Sequence, residues 1–292
     1  MSDAPELETW LLAECQALIA RGRRPLLALN GPVGAGKSTL ASRLQGSFAA
    51  AGVQLAVASI DDAYWPWPER QRRMAGNPFC VSRVPPGSHD PQALLQPIRR
   101  WRQQPGGPLA PMNLPRFNKT LQHGEGDRCA DWQGSAAALL LEGWLVGCQP
   151  LPADTLEQGL AQLDISPAAC SWVRRCNSAL EAYVPLWQEI DTLLLLWPRS
   201  WQHPRRWRFQ AEAQQRRRGG GWLGGAALDN LVASTLQSLP PPLYQRPLLQ
   251  QARWIRVLDG RRRPIREGPG GAVSAVLERE AQASSSCSSL TG

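Results

Sequence analysis

The stretch LLALNGPVGAGKSTLASRL, residues 26–44, constrains the fold of this chain more than any other. It begins as a short apolar run typical of a buried strand and ends in the pattern of a helix. Between the two, residues 31–38 match G-x-x-x-x-G-K-[ST], a glycine-rich loop whose backbone N–H groups converge on phosphate oxygens. The chain therefore predicts a strand, a phosphate-binding loop (hereafter the P-loop) and a helix in direct succession.

The residue types of the P-loop indicate how a nucleotide is held. Lys37 reaches the β- and γ-phosphate oxygens, and the hydroxyl of Ser38 is a ligand for Mg²⁺. The N-terminus of the following helix adds a partial positive charge. The predicted nucleotide-binding residues are Gly31, Gly34, Ala35, Gly36, Lys37, Ser38 and Thr39.

Short apolar segments alternate with helical patterns along the chain. Strands are predicted over residues 25–30, 53–59, 136–144, 190–197 and 252–259. Helices are predicted over residues 7–21, 37–51, 91–103, 204–218, 226–239 and 271–282. This alternation predicts an α/β fold of the P-loop NTPase type, a doubly wound and mostly parallel sheet with helices on both faces. In such sheets ligands bind at the carboxyl ends of the strands.

The domain organisation follows from changes in composition. We predict an N-terminal helix within residues 1–24, a single P-loop domain over 25–282 and a flexible tail over 283–292. Residues 64–135 are irregular and rich in Pro, Gly and Trp, and they are too many for an ordinary connection. We interpret them as an insertion that builds a second pocket, the acceptor site.

Acidic residues end two of the predicted strands. Asp61 and Asp62 follow the second strand, and Glu142 ends the third. Behind a P-loop, such an acid can take a proton from a hydroxyl or hold a metal-bound water. The alternatives are a polar strand end for the aspartates and a helix cap or surface position for Glu142. We predict that Ser38, Asp61 and Glu142 hold the metal.

An arginine-rich helix precedes the glycine-rich string GGGWLGG, residues 219–225. Glycines can act as a hinge, and arginines carried over a nucleotide would stabilise the transferring group. We therefore predict a helical lid over residues 204–225, with a solvated surface as the alternative. The basic string GRRRPIREG, residues 260–268, is interpreted as surface.

Composition and charge exclude several classes of protein. The net charge of +8 suits anionic substrates as well as nucleic acid, but no nucleic-acid recognition motif accompanies it. The longest apolar runs are too short to span a membrane, and the N-terminus is acidic rather than basic as a targeting peptide would be. Seven cysteines without a C-x-x-C pair indicate reduced thiols. We expect a cytoplasmic protein with no nucleic-acid or membrane partner.

A GTPase is also disfavoured. The string NKTL at residues 118–121 lacks the aspartate of the guanine-binding N-K-x-D pattern and does not follow a buried strand.

Lysine is scarce in this chain, which has 32 Lys and Arg residues, of which only Lys37 and Lys119 are lysines. Because an ammonium and a guanidinium are not equivalent, both positions are candidates for functional sites.

Six strings occur in order after the P-loop: SIDDAYW, GSHD, PRFNKT, GEGDR, LLLEGW and RRWRFQAEAQQR. With them the chain resembles the D-glycerate 3-kinase family of plants and cyanobacteria, which is related to P-loop uridine, phosphoribulose and pantothenate kinases. The resemblance covers about residues 25–260. It implies transfer of the ATP γ-phosphate to the 3-hydroxyl of D-glycerate, with Mg²⁺ as cofactor. A kinase for a nucleoside or pantothenate, and an ATP-binding regulator without transfer activity, are the alternatives.

The resemblance also implies roles for individual residues. It makes Asp61 the catalytic base, assigns Glu142 to Mg²⁺ and places Arg205 and Arg208 in the lid, with Lys37 on the phosphates. Because glycerate carries a carboxylate, its pocket needs a cation. The residues implied for the acceptor pocket are Asp61, Tyr64, His89, Asp90, Arg116, Lys119 and Arg128. The strings FNKT and DDAY depart from the family's Y-D-K-S and D-D-F-Y patterns, which bears on the preferred acceptor.

Overall fold

The computed structural model describes residues 6–217 and 224–288 of the chain. Its strands are β1 (Leu26–Asn30), β2 (Leu55–Ser59), β3 (Ala110–Asn118), β4 (Asp127–Ala136), β5 (Ala138–Gly143), β6 (Thr192–Pro198), β7 (Trp254–Leu258) and β8 (Pro264–Pro269). Its helices are α1 (Leu7–Ala20), α2 (Lys37–Ala50), α3 (Trp67–Arg73), α4 (Gln92–Gln103), α5 (Ala153–Ala161), α6 (Pro167–Leu180), α7 (Val184–Trp187), α8 (His203–Arg217), α9 (Gly225–Ser238), α10 (Pro241–Tyr244), α11 (Leu248–Gln251) and α12 (Gly270–Ser288). Short 3₁₀ helices occupy Ile60–Ala63, Gln122–Gly124 and Glu181–Tyr183.

The central sheet has six strands in the order β2-β5-β1-β6-β7-β8. The first five run parallel, and only the edge strand β8 is antiparallel to its neighbour. Strands β1 and β5 are buried along their whole length because hydrophobic side chains cover both faces of the sheet. Leu26 and Ala28 belong to the core on one face, and Leu27 and Leu29 belong to the core on the other. The predicted mostly parallel α/β fold is confirmed.

The insertion contains regular structure that the sequence did not reveal. Strands β3 and β4 form a separate two-stranded antiparallel sheet, with Ala110 opposite Ala136 and Asn118 opposite Asp127. Most of β4 is exposed or only half-buried, so it carries no apolar alternation from which a strand could be predicted. The hairpin packs instead on α4 and on the 3₁₀ helix that follows β2. This packing holds the turn of the hairpin near the carboxyl end of the main sheet.

Two other sequence expectations concern the end of the chain. The basic string 260–268, interpreted as surface, is mostly exposed and forms the turn and first part of the β7–β8 hairpin, with Arg262 at a left-handed φ of 63°. Helix α12 continues to Ser288, so residues 283–288 are helical rather than a flexible tail. Residues 1–5 and 289–292 lie outside the described residues. So does 218–223, which includes most of the predicted glycine-rich hinge.

No described helix is long and apolar enough to cross a membrane. The cysteines whose side chains the structure describes are all free, as expected. They are Cys15, Cys80, Cys129, Cys148, Cys170 and Cys176.

Candidate active site

A cavity of about 610 Å³ opens at the carboxyl ends of the parallel strands, within the usual size range of small-molecule sites. The P-loop forms one wall, and Asp61 and Glu142 stand at the ends of β2 and β5. The turn of the β3–β4 hairpin contributes Lys119, and α8 contributes Arg208. The P-loop, Asp61 and Glu142 meet here because parallel strands place all their carboxyl ends at one edge. The hairpin turn and α8, which are distant in sequence, complete the lining.

The P-loop has the backbone conformation that phosphate binding requires. Gly34 and Gly36 have left-handed φ angles of 75° and 91°, which favour glycine. The ammonium of Lys37 donates hydrogen bonds to the carbonyls of Gly31 at 2.9 Å and Pro32 at 3.2 Å. Burial lowers the pKa of Lys37, while the nearby carboxylates of Glu142 and Asp61 act in the opposite direction. The lysine is thus held over its own loop and directed into the cavity.

Helix α8 is anchored directly on the P-loop. A Cβ atom at Gly34 would lie 2.7 Å from the backbone nitrogen of Arg208, so only glycine allows this approach. Trp207 is fully buried beside it and donates a hydrogen bond to the carbonyl of Gly260 at 2.9 Å. These contacts fix the first turns of α8 and carry Arg208 into the cavity.

Two oxygen-bearing side chains are paired beside the P-loop lysine. The hydroxyl of Ser38 donates a hydrogen bond to Oε1 of Glu142 at 3.1 Å. Mg²⁺ prefers oxygen ligands and is usually bound through one or two carboxylates together with substrate phosphates. The described residues contain no group of three or more His, Cys, Asp or Glu side chains that could hold a metal unaided. The Ser38–Glu142 pair therefore fits a Mg²⁺ ion that a nucleotide helps to bind.

Asp61 lies between two basic side chains. Its Oδ2 atom accepts a hydrogen bond from Nζ of Lys119 at 2.8 Å, and its Oδ1 atom is 3.8 Å from Nε2 of His89. Burial would raise the pKa of Asp61, but Lys119 and His89 outweigh it and hold that pKa well below its ordinary value. Burial lowers the pKa of His89, so its imidazole is neutral near pH 7. Asp61 is consequently an ionised carboxylate facing the cavity.

Local sequence explains why Asp61, and not Asp62, faces the cavity. Ser59 and Asp62 form a capping box at the 3₁₀ turn after β2: Asp62 Oδ2 accepts from the backbone of Ser59 at 2.9 Å. The same Asp62 oxygen accepts from the guanidinium of Arg116 at 3.2 Å. Asp62 is therefore a structural residue, and Asp61 is the aspartate that lines the cavity.

Several predicted acceptor residues do not line the cavity. Asp90 accepts from the backbone N–H of Gln92 at 3.1 Å, at the start of α4. Arg116 donates to Asp62 and, at 3.0 Å, to the carbonyl of Val57. Arg128 donates to the carbonyls of two residues in the turn after β2. These three side chains brace the inserted segment, whereas Tyr64 and Lys119 do line the cavity. His89 lies behind Asp61.

Of the two predicted lid arginines, likewise, only one lines the cavity. Arg208 lines the cavity and pairs with Glu212 at 2.9 Å. Arg205 is exposed and pairs with Asp229 of α9 at 2.7 Å, outside the cavity lining. The structure thus brings only one of these two arginines to the nucleotide side.

Two cationic residues of the cavity were missed by sequence reasoning. Arg83 lies in the irregular part of the insertion, and Arg262 lies in the β7–β8 turn. The guanidinium of Arg262 donates to Gln210 of α8 at 3.1 Å, and it lies 3.4 Å from the carbonyl of Gly34. No periodic pattern or motif marks either arginine, so only the fold reveals them.

The strand, P-loop and helix at the edge of a parallel sheet define a nucleoside triphosphate-binding protein of the P-loop type. No family model matches the chain. It is 29% identical over 231 residues to "D-glycerate 3-kinase, chloroplastic" of Arabidopsis thaliana, a match that covers 75% of this chain. That match spans only about half, 48%, of the Arabidopsis protein. The chain is also 29% identical over 202 residues to "uncharacterized kinase mug58" of Schizosaccharomyces pombe, covering 65% of this chain and 71% of the other.

A solved structure shares the fold. It is that of D-glycerate 3-kinase from Cryptococcus neoformans var. grubii, with a TM-score of 0.76 and 22% sequence identity. The superposition covers 91% of this chain and 99% of the other. At this identity the likeness establishes the fold. The resemblance inferred from the ordered motifs is confirmed by the sequence relatives, and the P-loop fold by the solved structure.

Proposed function

We propose that the protein transfers the γ-phosphoryl group of ATP to the 3-hydroxyl of D-glycerate, giving 3-phosphoglycerate and ADP. The observation that carries this proposal is the Lys119–Asp61 pair, which stands in the same cavity as the P-loop. An ammonium that can hold a carboxylate then lies 2.8 Å from a carboxylate that can receive a hydroxyl proton. A small hydroxy acid has both of these groups. We take the particular acid, D-glycerate, from the names of the relatives.

The P-loop would hold the triphosphate. Backbone N–H groups around Gly34 and Gly36 surround the phosphates, and Lys37 exchanges its bonds to loop carbonyls for bonds to phosphate oxygens. Ser38 and Glu142 would hold Mg²⁺. When bound, Mg²⁺ supplies charge neutralisation on the β- and γ-phosphates. Thr39 follows at the start of α2, where the helix N-terminus favours the same negative charge.

The acceptor would bind between Lys119 and Asp61. The carboxylate of glycerate takes the ammonium of Lys119 as its partner, with Arg83 as further positive charge in the same cavity. Of the three cations predicted for this role, Lys119 is supported because Arg116 and Arg128 already bond to structural partners. The 3-hydroxyl then faces Asp61.

The reaction balances with these residues. The hydroxyl oxygen forms the new bond to the γ-phosphorus, its proton passes to Asp61, and the bond to the β–γ bridging oxygen breaks, leaving its electron pair on ADP. Arg208 would stabilise the charge on the transferring group. Helix α8 covers the reacting groups, and excluding water protects ATP from hydrolysis.

Release of ADP in the presence of different acceptors tests this proposal. The expected result is ADP release stimulated by D-glycerate, with 3-phosphoglycerate identified as the product by mass spectrometry and an enzymatic phosphoglycerate assay. L-glycerate, uridine and pantothenate are the matched alternatives, and the Lys37→Met variant controls for contaminating kinases. Stimulation by one of the alternatives instead would move the chain to a related kinase. An absence of stimulation by every acceptor would refute kinase activity and favour an ATP-binding regulator.

A further inference from the structure

A buried tyrosine from a distant segment lies behind the proposed base. Tyr183 belongs to the 3₁₀ helix between α6 and α7, and its side chain is fully buried. Its hydroxyl oxygen is 2.9 Å from Nδ1 of His89, a residue 94 positions earlier in the chain. No motif of the P-loop or of the ordered strings includes this tyrosine.

The hydrogen bonds of Tyr183 favour one tautomer of His89. The backbone N–H of Gly87 donates to the tyrosine oxygen at 3.0 Å, so that oxygen acts as an acceptor there. Its own hydrogen is then free to be donated to Nδ1 of His89. The hydroxyl of Ser88, the other polar group near Nδ1, donates to the carbonyl of Pro85. If the tyrosine donates to Nδ1, a neutral His89 carries its proton on Nε2.

The Nε2–H group of His89 faces Asp61. Nε2 is buried and has no hydrogen-bond partner within residues 6–217 and 224–288. Oδ1 of Asp61 lies 3.8 Å from it, slightly beyond hydrogen-bond distance. The imidazole is stacked on the ring of Tyr64, with centroids 4.3 Å apart and planes inclined by 18°, so the ring cannot rotate freely. A buried donor without a partner is costly, which favours closure of this gap.

We propose that Tyr183 and His89 form a buried relay that positions Asp61 for its reaction. Tyr183 fixes the tautomer of His89, and the Nε2–H group donates to Oδ1 when the acceptor engages Lys119 on the other side. This bond sets the rotation of the carboxylate and so directs its remaining lone pairs at the acceptor hydroxyl. The relay rests on the proposed function, since it acts through the proposed base. It makes His89 and Tyr183 positioning residues rather than groups that contact the acceptor.

The first test measures the tautomer and needs no enzyme activity. The full chain contains only three histidines, so long-range ¹H–¹⁵N correlation spectra can assign His89 by comparison with a His89→Gln variant. The wild type should show protonated Nε2 and unprotonated Nδ1. Tyr183→Phe removes only the hydroxyl and should shift His89 toward a mixture of tautomers. Protonated Nδ1 in the wild type, or an unchanged spectrum in Tyr183→Phe, would overturn the relay.

The matched control is Tyr244→Phe. Tyr244 is also buried, and its hydroxyl bonds to Asn177 at 2.8 Å, with no contact to His89. Both variants lose one buried hydroxyl, so a general loss of stability should be similar in the two. Thermal unfolding of both variants measures that shared cost, and the histidine spectrum should change only in Tyr183→Phe.

The second test separates positioning from binding. Tyr183→Phe and His89→Ala should each lower kcat by about 10- to 100-fold, the cost of a misplaced catalytic group, with the KM for ATP unchanged. His89→Gln retains an N–H donor near the position of Nε2 and should recover most of kcat. Equal kcat in Tyr183→Phe and Tyr244→Phe, in an active enzyme, would overturn the relay alone. A wild type that no acceptor stimulates would instead refute the proposed function, while the spectra still decide the tautomer.

Discussion

Replacing Gly34 by alanine tests how closely the P-loop and α8 are packed. The new Cβ would lie 2.7 Å from both the nitrogen of Arg208 and the carbonyl carbon of Trp207. Both are backbone atoms, so no side-chain rotation can relieve the contact. The substitution therefore has to displace the first turns of α8 from the loop, and Arg208 moves with them.

The expected loss of stability in Gly34→Ala has two parts. An alanine at the left-handed φ of 75° costs about 1–2 kcal/mol. Forcing extra volume into a packed contact adds about 1–3 kcal/mol. Gly34→Ala should thus lower the free energy of unfolding by roughly 2–5 kcal/mol.

Gly52 provides a matched control for the backbone part alone. It has nearly the same φ, 76°, and a Cβ there would meet nothing within 4 Å. Gly52→Ala should therefore cost only about 1–2 kcal/mol and leave ADP release unchanged. Urea unfolding of the two variants measures the difference, and the acceptor-stimulated assay measures the displacement of Arg208. Equal losses of stability in Gly34→Ala and Gly52→Ala would refute the close contact between the P-loop and α8.

Four further variants test the site. Asp61→Asn should lower kcat at least about 100-fold, because it removes the proton acceptor without changing shape; near-normal turnover would exclude Asp61 as the base. Lys119→Met should raise the KM for D-glycerate about 10- to 100-fold, through loss of a charge-assisted hydrogen bond, with the KM for ATP as the control. In the wild type, the pKa of Asp61 lies below its unfolded value, so its ion pair stabilises the fold above about pH 4 and is lost as the pH falls through the folded pKa. Lys119→Met removes the cation that lowers the pKa of Asp61 but keeps the burial that raises it. The acidic limb of kcat/KM should therefore move to higher pH. Finally, Arg208→Ala should lower kcat, whereas Arg205→Ala, which breaks an exposed pair outside the cavity, should not; equal effects would place the lid elsewhere.

The acids of the site could be predicted because their position depends on short-range order. Asp61 follows a buried strand directly, and Glu142 ends another. Once the strands are known to be parallel, their carboxyl ends must share one edge. The insertion could not be resolved in the same way. The second strand of its hairpin is polar and half-exposed, and it is the first strand that packs on α4 and on the turn after β2.

By itself, the sequence determined the strand, P-loop and helix, the parallel sheet and the acids at its edge, since each depends on local pattern and on strand direction. Only the tertiary structure decided which cations face the cavity. Lys119, Arg83 and Arg262 do, whereas Arg116 and Arg205 bond elsewhere. Long cationic side chains reach partners that are distant in sequence, such as Asp229 for Arg205 and the carbonyl of Val57 for Arg116. The residues on either side of an arginine therefore do not predict its partner. The proposed role of Tyr183 could not be predicted for the same reason, since it depends on a histidine that only the fold brings beside it.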